Sequence, residues 1–574
     1  MSILRFATTS FALAGILLLG ACARSATPAP SGSAGRPNEA KKQIVAGIFS
    51  SPAGMHQELT NPQGTSGSVP GLGELYAMMD GALSYVDEGF ERHPWLADSV
   101  PTVDNGLWKV FPDGSMETTW RIKPDVAWHD GAPVTSDDLQ FTIDVYRDRD
   151  VGVVPIRGLS LVDAIELPDA RTAVLHWRQP FISADTFFSA GPTMWILPRH
   201  LLERPFQDAK DNFLGLPYWQ GEFVGAGPFK MQNWAPGSSV TLVANDEYVL
   251  GRPKLAQIEV RFFTDRGALI ASLLAGAIQI PIGRGLYPQD VLQIRDSAQN
   301  VKVQLSGPLG LPLPVYPQSI NPDPPIVGNV QFRRALLMAI DRQEMTDTLN
   351  YGLGPVANSW VPPDEPEGRA VDGRLVRYEH DTRAATQMIE ALGYAKDADG
   401  FFQSTDGARL TVQLATHMQN SVHEPATLSV ARYWKEFGVD VQLDVRSAEQ
   451  AFDLRWRALY PAFFLVSRGL PVDRPDGYFT RKAIPTQESN FSGGNVARYG
   501  TPELDSLIQR YITTIPFNDR MAALGDIVHL QTDQVTMMPL FFQGAAFVLG
   551  ANQLQNVTGG LVWNAHEWDL DMGS

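Results

Sequence analysis

The chain contains one cysteine, Cys22, in 574 residues. An intrachain disulfide is therefore impossible, and the fold must be held by buried apolar surface and hydrogen bonds alone. At this length a single core stops growing, so two or three packed units are expected. The composition suits that demand: 44% of residues are hydrophobic and 19% charged, as in folded globular proteins.

Cys22 also stands where it has a second meaning. Arg5 precedes an apolar run, Phe11–Gly20, that is too short to span a bilayer and has the layout of a signal peptide. Leu19, Gly20 and Ala21 supply a lipobox-like approach to Cys22, which predicts cleavage and lipidation there. Residues 1–22 thus read as a lipoprotein signal peptide, and 23–41, rich in Ser, Ala, Pro and Gly, as a flexible tether. From about Lys42 onward the chain is expected to lie outside the cytoplasm, tied to a membrane by its lipid.

Charge narrows the partners. With 46 Lys+Arg against 63 Asp+Glu, the formal charge of −17 repels nucleic acid and anionic lipid surfaces. The 42 prolines and 50 glycines predict long ordered loops, and most of the 13 tryptophans are expected in cores.

Local patterns fix several elements. Gln43–Ser50 reads as a buried strand entering a loop, and Met116–Lys123 alternates like a half-buried strand. Thr135 followed by Asp138 forms a capping-box pattern ahead of Leu139, Phe141, Ile143 and Tyr146, which predicts a helix. Arg409–Ala415 alternates as a strand, 426–437 has helical spacing closed by Gly438, and Val439, Val441, Leu443 and Val445 alternate again. Strand, helix and strand in that order predict a βαβ unit with parallel strands. Asp381 caps a helix over 382–392, and Thr501-Pro502 opens another through Ile512.

Enzyme signatures are missing from the sequence. It has no Gly-x-Ser-x-Gly elbow, no phosphate-binding Gly-rich loop with Lys-Ser/Thr, and no His-Glu-x-x-His helix. His129-Asp130 sits in a turn signal with Gly131, which favours a structural role over a catalytic pair. His417 and His423, six residues apart, do not share a helical face and do not predict a metal site. No catalytic residue, metal or cofactor is expected.

Several separated segments resemble one known family. Pro94–Pro101, Trp120–Asp138, Gly225–Lys230, Ala244–Tyr248 with Gly251–Pro253, Val330–Arg342 and Asn495–Asp505 keep the order found in the peptide/nickel-type (family 5, cluster C) extracytoplasmic solute-binding proteins of ABC importers, which include oligopeptide- and dipeptide-binding proteins. The resemblance implies an α/β, periplasmic-binding-protein-like fold of two lobes joined by a hinge, with an additional inserted domain. Lobe I would comprise 42–88, 219–305 and 530–574, the inserted domain 89–218, and lobe II 306–529. It further implies a monomer that closes on a peptide or peptide-like solute and hands it to ABC importer permease subunits. Other cargoes in the same role are an oligosaccharide, an opine-like conjugate or a metal chelate; a secreted hydrolase is the distant alternative.

Two departures from the family pattern bear on the ligand. Where peptide-binding members carry the aspartate that meets the ligand's ammonium group, this chain aligns Pro471, with Asp473 two residues away and Arg468 and Arg474 flanking. Either Asp473 takes the ammonium role from two residues away, or the ligand has no free amino terminus there and Arg468 or Arg474 meets an anionic or carbonyl-rich ligand; Arg468, Asp473, Arg474 and Asn321 are the candidate ligand contacts. The second departure is Gly276–Ile280, where Gln279 replaces an acid and a change in local hydrogen bonding is expected.

Overall fold

A computed structural model describes residues 42–60, 69–191, 194–418, 420–559 and 562–571. The signal segment, Cys22 and the 23–41 tether lie outside the described residues. No helix among the described residues is long and apolar enough to cross a membrane.

Three sheets organise the chain. The first orders Ile280–Pro281, Gln43–Ile48, Gln257–Phe262, Ser239–Ala244 and Phe229–Ala235, parallel for its first three strands and antiparallel beyond them. The second orders Asp440–Arg446, Thr411–His417, Phe463–Leu465, Val301–Pro317 and Met538–Ala551. A third, antiparallel sheet is built from Trp108–Val110, Met116–Arg121, Thr172–Trp177 and Val162–Asp169.

The expected local elements form for the expected reasons. Thr135 and Asp138 make the reciprocal capping box of the helix Ser136–Arg147. Asp381 accepts from the Ala384 amide at the start of Thr382–Ala391, and Thr501 from the Leu504 amide ahead of Pro502–Thr513. The βαβ unit is present: Thr411–His417 and Asp440–Arg446 pair in parallel around the helix His423–Phe437, and Gly438 closes that helix at φ 115°. One detail differs. Leu443 is 41% exposed despite its place in the alternation, because Asp440–Arg446 is the outer strand of its sheet and has a neighbour on one side only.

Two long strands connect the cores. Val301–Pro317 and Met538–Ala551 run antiparallel from Val301 opposite Ala551 to Val315 opposite Met538. At one end Val301 and Val548 pack with Leu269, Ile278 and Ile294; at the other, Leu313, Val315, Met538 and Leu540 pack with Phe332, Leu414 and Trp434. Between these ends the ladder is irregular. Pro308 opposes Gly544 and Pro312 opposes Phe542, so one strand spends four residues where its partner spends two. Proline supplies no amide hydrogen, which removes rungs from the ladder at this point. Gln279 ties the lower end together: its side-chain oxygen accepts from the Val45 amide and its carbonyl from the Ala551 amide, both at 2.7 Å. The departure at Gln279 thus keeps the turn, the first strand and the crossing strand joined.

The Gly225–Pro228 turn is a close backbone approach. A Cβ at Gly225 would lie 2.0 Å from the Met79 carbonyl oxygen, and one at Gly227 2.5 Å from the Met79 carbonyl carbon. That approach lets the Ala226 amide reach the carboxylate of Asp80, which follows the helix Leu72–Met79. His129 secures the other side of the turn: Nε2 donates to the Gly227 carbonyl and Nδ1 accepts from the Gly225 amide. Burial pushes its pKa down to about 4, and Asp130 binds His200 instead. The His129-Asp130 pair is structural.

Asp80 is fully buried, and desolvation raises its pKa to about 7 against the lowering effect of the Gly81 and Ala226 amides. Folded protein therefore retains a proton that unfolded chain releases between about pH 4 and pH 7, and stability falls as pH rises through that window. Both amide bonds go to Oδ1, so Asp80→Asn keeps them and abolishes the titration. The variant should gain on the wild type between pH 4 and pH 8, by up to about 4 kcal/mol, read as the difference in melting temperature at the two pH values.

Candidate functional site

A cavity of about 620 Å³ lies against the crossing strands, within the range of small-molecule sites. Its floor is Gln543–Val548 with Leu311 of the partner strand. One wall is the 280–291 segment after the first sheet, and the facing wall is formed by Thr348–Tyr351 and the loop Asn420–Val422. Tyr287 and Tyr351, 45% and 50% exposed, offer flat faces from opposite walls.

The loop that carries Arg284 is shaped by glycine. Gly283 has φ +79°, and a Cβ there would lie 2.4 Å from the Gly71 Cα; one at Gly285 would lie 2.4 Å from the Phe49 Cβ. The flanking positions are thus pressed onto the 49–71 segment, and Arg284 between them lines the cavity, exposed. Among the described residues it makes no ion pair. Arg266 fixes the loop from behind: its Nε donates to the Gly285 carbonyl at 3.0 Å and lies 3.6 Å from Asp290, while the guanidinium sits 4.0 Å from the Tyr287 ring centre. Glu74, buried under Gly283, is the other charged residue of the lining.

The facing wall is held by amides. Asn350 donates to the Phe542 carbonyl at 2.9 Å and accepts from the Gly544 amide at 3.0 Å, binding the Thr348–Tyr351 turn to the crossing strand. Asn420 reaches Ser467 Oγ and Gln543 Oε1, both at 3.4 Å. Gln543 Nε2 is buried with no partner and so has a donor to spare. Ser467 in turn joins His423, whose Nε2 accepts from the Ser467 amide while Nδ1 donates to the His417 carbonyl. Burial pushes both imidazoles down to about 4, so both are neutral at pH 7. A lining of one cation, one acid, amides and aromatic faces is equipped to hold a polar solute by hydrogen bonds and stacking.

The four expected contacts lie outside this lining. Arg468 is half-buried, donates to the Gly494 carbonyl at 3.1 Å and lies 5.5 Å from the Tyr478 ring centre; Arg474 lies 5.7 Å from the same ring. Asp473 is engaged from the 89–218 segment: Ser183 Oγ donates to its carboxylate at 2.8 Å, Arg157 to its carbonyl at 2.7 Å, and Arg157 also pairs with Asp476 at 3.1 Å. Asn321 is exposed at φ 51° in the loop after Pro317. The structure thus brings Arg468 and Arg474 together on Tyr478, while the Asp473 carboxylate is engaged by Ser183 and Arg157. Sequence reasoning missed Arg284, Tyr287, Tyr351, Asn420 and Gln543. Only Gly283-Arg284-Gly285 carried a signal, a lone charge between two glycines.

A family profile, bacterial extracellular solute-binding proteins, family 5 Middle, matches residues 91–490. A putative ABC transporter peptide-binding protein of Brucella ovis is 27% identical over 319 residues, 55% of this chain and 57% of the relative, so the chain spans little more than half of that protein's length. The oligopeptide-binding protein AppA of Bacillus subtilis is 25% identical over 439 residues, 75% of this chain and 74% of AppA. Among solved structures, NikZ from Campylobacter jejuni in complex with Ni(L-His) superposes with a TM-score of 0.66 at 20% identity, covering 92% of this chain and 100% of NikZ, a likeness of fold.

Arg266→Ala removes a hydrogen bond, an ion pair and a cation–π contact from the 283–287 loop without altering the lining. Amide exchange at 283–287 should quicken by about tenfold or more, on the order of 1–2 kcal/mol of local opening. Exchange in Gln43–Ile48 should not change, and mass-resolved hydrogen exchange reads both.

Proposed function

Because the chain belongs to the bacterial extracellular solute-binding proteins of family 5, a two-lobed α/β fold, we propose that its cavity captures a peptide or peptide-like solute for delivery to the permease subunits of an ABC importer. The observation that carries this reading is the cavity itself, floored by the crossing strands and walled from both sides by Arg284 and an array of side-chain amides. A peptide offers such a lining its main-chain carbonyls, amides and terminal carboxylate, whatever its side chains. That the relatives include an oligopeptide-binding protein supports the same cargo.

Lobe I is assigned to 42–88, 219–305 and 530–574, the inserted domain to 89–218 and lobe II to 306–529. On this assignment the Arg157 and Ser183 contacts to Asp473 and Asp476 fasten the inserted domain to lobe II. Ligand favours the closed arrangement because only there is it met from both walls. The protein works as a monomer and returns its ligand chemically unaltered. Arg468, Arg474, Asp473 and Asn321 remain assigned to the ligand side of lobe II.

Calorimetry of the full chain against a defined peptide library tests the cargo. Arg284→Ala should weaken the best binder about tenfold to a hundredfold, the range for losing a hydrogen bond to a charged group. Equal affinity for wild type and variant would move the ligand out of this cavity. The anchor is tested separately: Cys22→Ser should shift the protein from the membrane pellet to the soluble extracytoplasmic fraction, with ligand affinity unchanged.

A further inference from the structure

The second sheet has two faces, and one is polar in an unexpected way. Leu313, Val315, Val412, Leu414, Phe463 and Leu465 pack into the core of the second sheet. Alternate residues point the other way: Phe464 stands in register with Tyr316 on one side and Ala415 on the other, and His417 follows Ala415 by two. His417 lies 5.9 Å from the Phe464 ring centre, so Tyr316, Phe464 and His417 share this face. Tyr316 and His417 are 3% and 2% exposed. The Tyr316 hydroxyl and both ring nitrogens of His417 nevertheless have no hydrogen-bond partner. A buried polar group left without a partner is costly, so these atoms await one.

Two arginines flank these groups. Arg468 contacts Gly494 and Tyr478, which line one small pocket with Tyr316, and Arg457 follows Trp456, whose ring centre lies 5.4 Å from that of Phe464; their charges act on Tyr316, on His417 and on each other. Arg457 makes no side-chain hydrogen bond or ion pair among the described residues, and Arg468 makes only its bond to Gly494. In a chain of formal charge −17, two half-buried guanidiniums that repel each other and have no acid between them call for an anion. The cluster adjoins the cavity: Asn420, in the lining, reaches Ser467 next to Arg468, and a Cβ on Gly469 would touch Leu311 of the floor.

We infer that Arg457 and Arg468, with the Tyr316 hydroxyl and His417, form a subsite for an oxyanion of the ligand, a carboxylate or phosphate group. This deepens the peptide reading and rests on it for the identity of the rest of the ligand. It takes the second of the two readings of the Pro471 stretch: an anionic end of the solute docks at this place, not an ammonium group. Arginine suits the task because its planar donors meet two oxygens at once.

The test uses the full chain and three probes: trialanine, its C-terminal amide, and N-acetyl-trialanine. Calorimetry should show the amide binding at least tenfold more weakly than trialanine and the acetylated peptide binding equally well. Arg457→Gln and Arg468→Gln should each weaken trialanine at least tenfold and erase the difference between acid and amide, with Arg468→Lys intermediate. Arg455→Gln, exposed beside Phe491, should match wild type, and circular dichroism confirms that each variant is folded. Equal binding of acid and amide, or a loss confined to the acetylated peptide, overturns the inference and leaves the peptide reading standing.

If none of the three binds, the peptide reading fails and the subsite is read with inorganic phosphate and citrate at constant ionic strength. A rise in melting temperature over chloride that disappears in Arg457→Gln and Arg468→Gln upholds the oxyanion site. The same response in wild type and variants means the orphaned groups hold water alone, and the inference falls.

Discussion

The constraint on which the molecule turns is a single pair of strands that must belong to two cores at once. Val301–Pro317 runs from the cluster of Leu269, Ile278 and Ile294 to that of Phe332, Leu414 and Trp434, and Met538–Ala551 runs back beside it. A regular antiparallel ladder of that length would be a stiff twisted ribbon. Prolines at 308, 312 and 314 withhold amide hydrogens, and the offset between Pro308 and Pro312 spends the difference as a bulge. Both ends stay locked into packed apolar clusters while the middle is relieved of part of its hydrogen bonding. The cavity sits on that relieved stretch, lined by Gln543 and Gly544 of one strand and Leu311 of the other. The relieved stretch of the ladder and the cavity floor are thus the same few residues.

What was legible in the sequence was whatever local chemistry decides. Thr135 with Asp138, Asp381 with Ala384, Thr501 with Pro502 and Gly438 each specify a helix end through a hydrogen bond or backbone conformation reached within four residues, and each appears as read. The βαβ unit was legible because its periods switch from two to 3.6 and back. The crossing strand at 301–317 was not, since four prolines and two glycines argue locally against a strand. Only the long-range pairing with Met538–Ala551 sustains it. Leu443 shows the converse: its pattern says inward, but an outer strand lacks the second neighbour that would complete the cover.

The cavity residues were harder for a related reason. Arg284, Tyr351, Asn420 and Gln543 come from four distant segments and share no spacing that a linear reading can detect. Their positions follow from close backbone approaches, Gly283 on Gly71, Gly285 on Phe49 and Gly544 on Leu353, which become visible only when the segments are side by side. The sequence marks the glycines without saying what they touch. It also marks the family order of motifs, and those motifs turn out to be scaffold: Gly225–Pro228 packs on Met79, His129 ties that turn down, and Asp80 receives its amides.

Charge connects the scaffold to the solute. The chain as a whole is acidic, yet Arg284 lines the cavity, and among the described residues neither it nor Arg457 nor Arg468 forms an ion pair. Most other arginines in the molecule are matched, as Arg157 is by Asp476, Arg334 by Asp533 and Arg481 by Asp505. On the proposed reading, guanidiniums without acid partners in a chain of net negative charge create a local field of opposite sign, which would draw anionic groups inward. Asp473 is engaged elsewhere, because Ser183 and Arg157 of the 89–218 segment hold it. The proline at 471 is then more than a missing anchor: with no carboxylate there and none released by Asp473, nothing neutralises Arg468 from within its own loop. On the proposed reading, a ligand that brings negative charge completes an interaction the fold leaves open, and one that brings a positive charge meets repulsion at the same point.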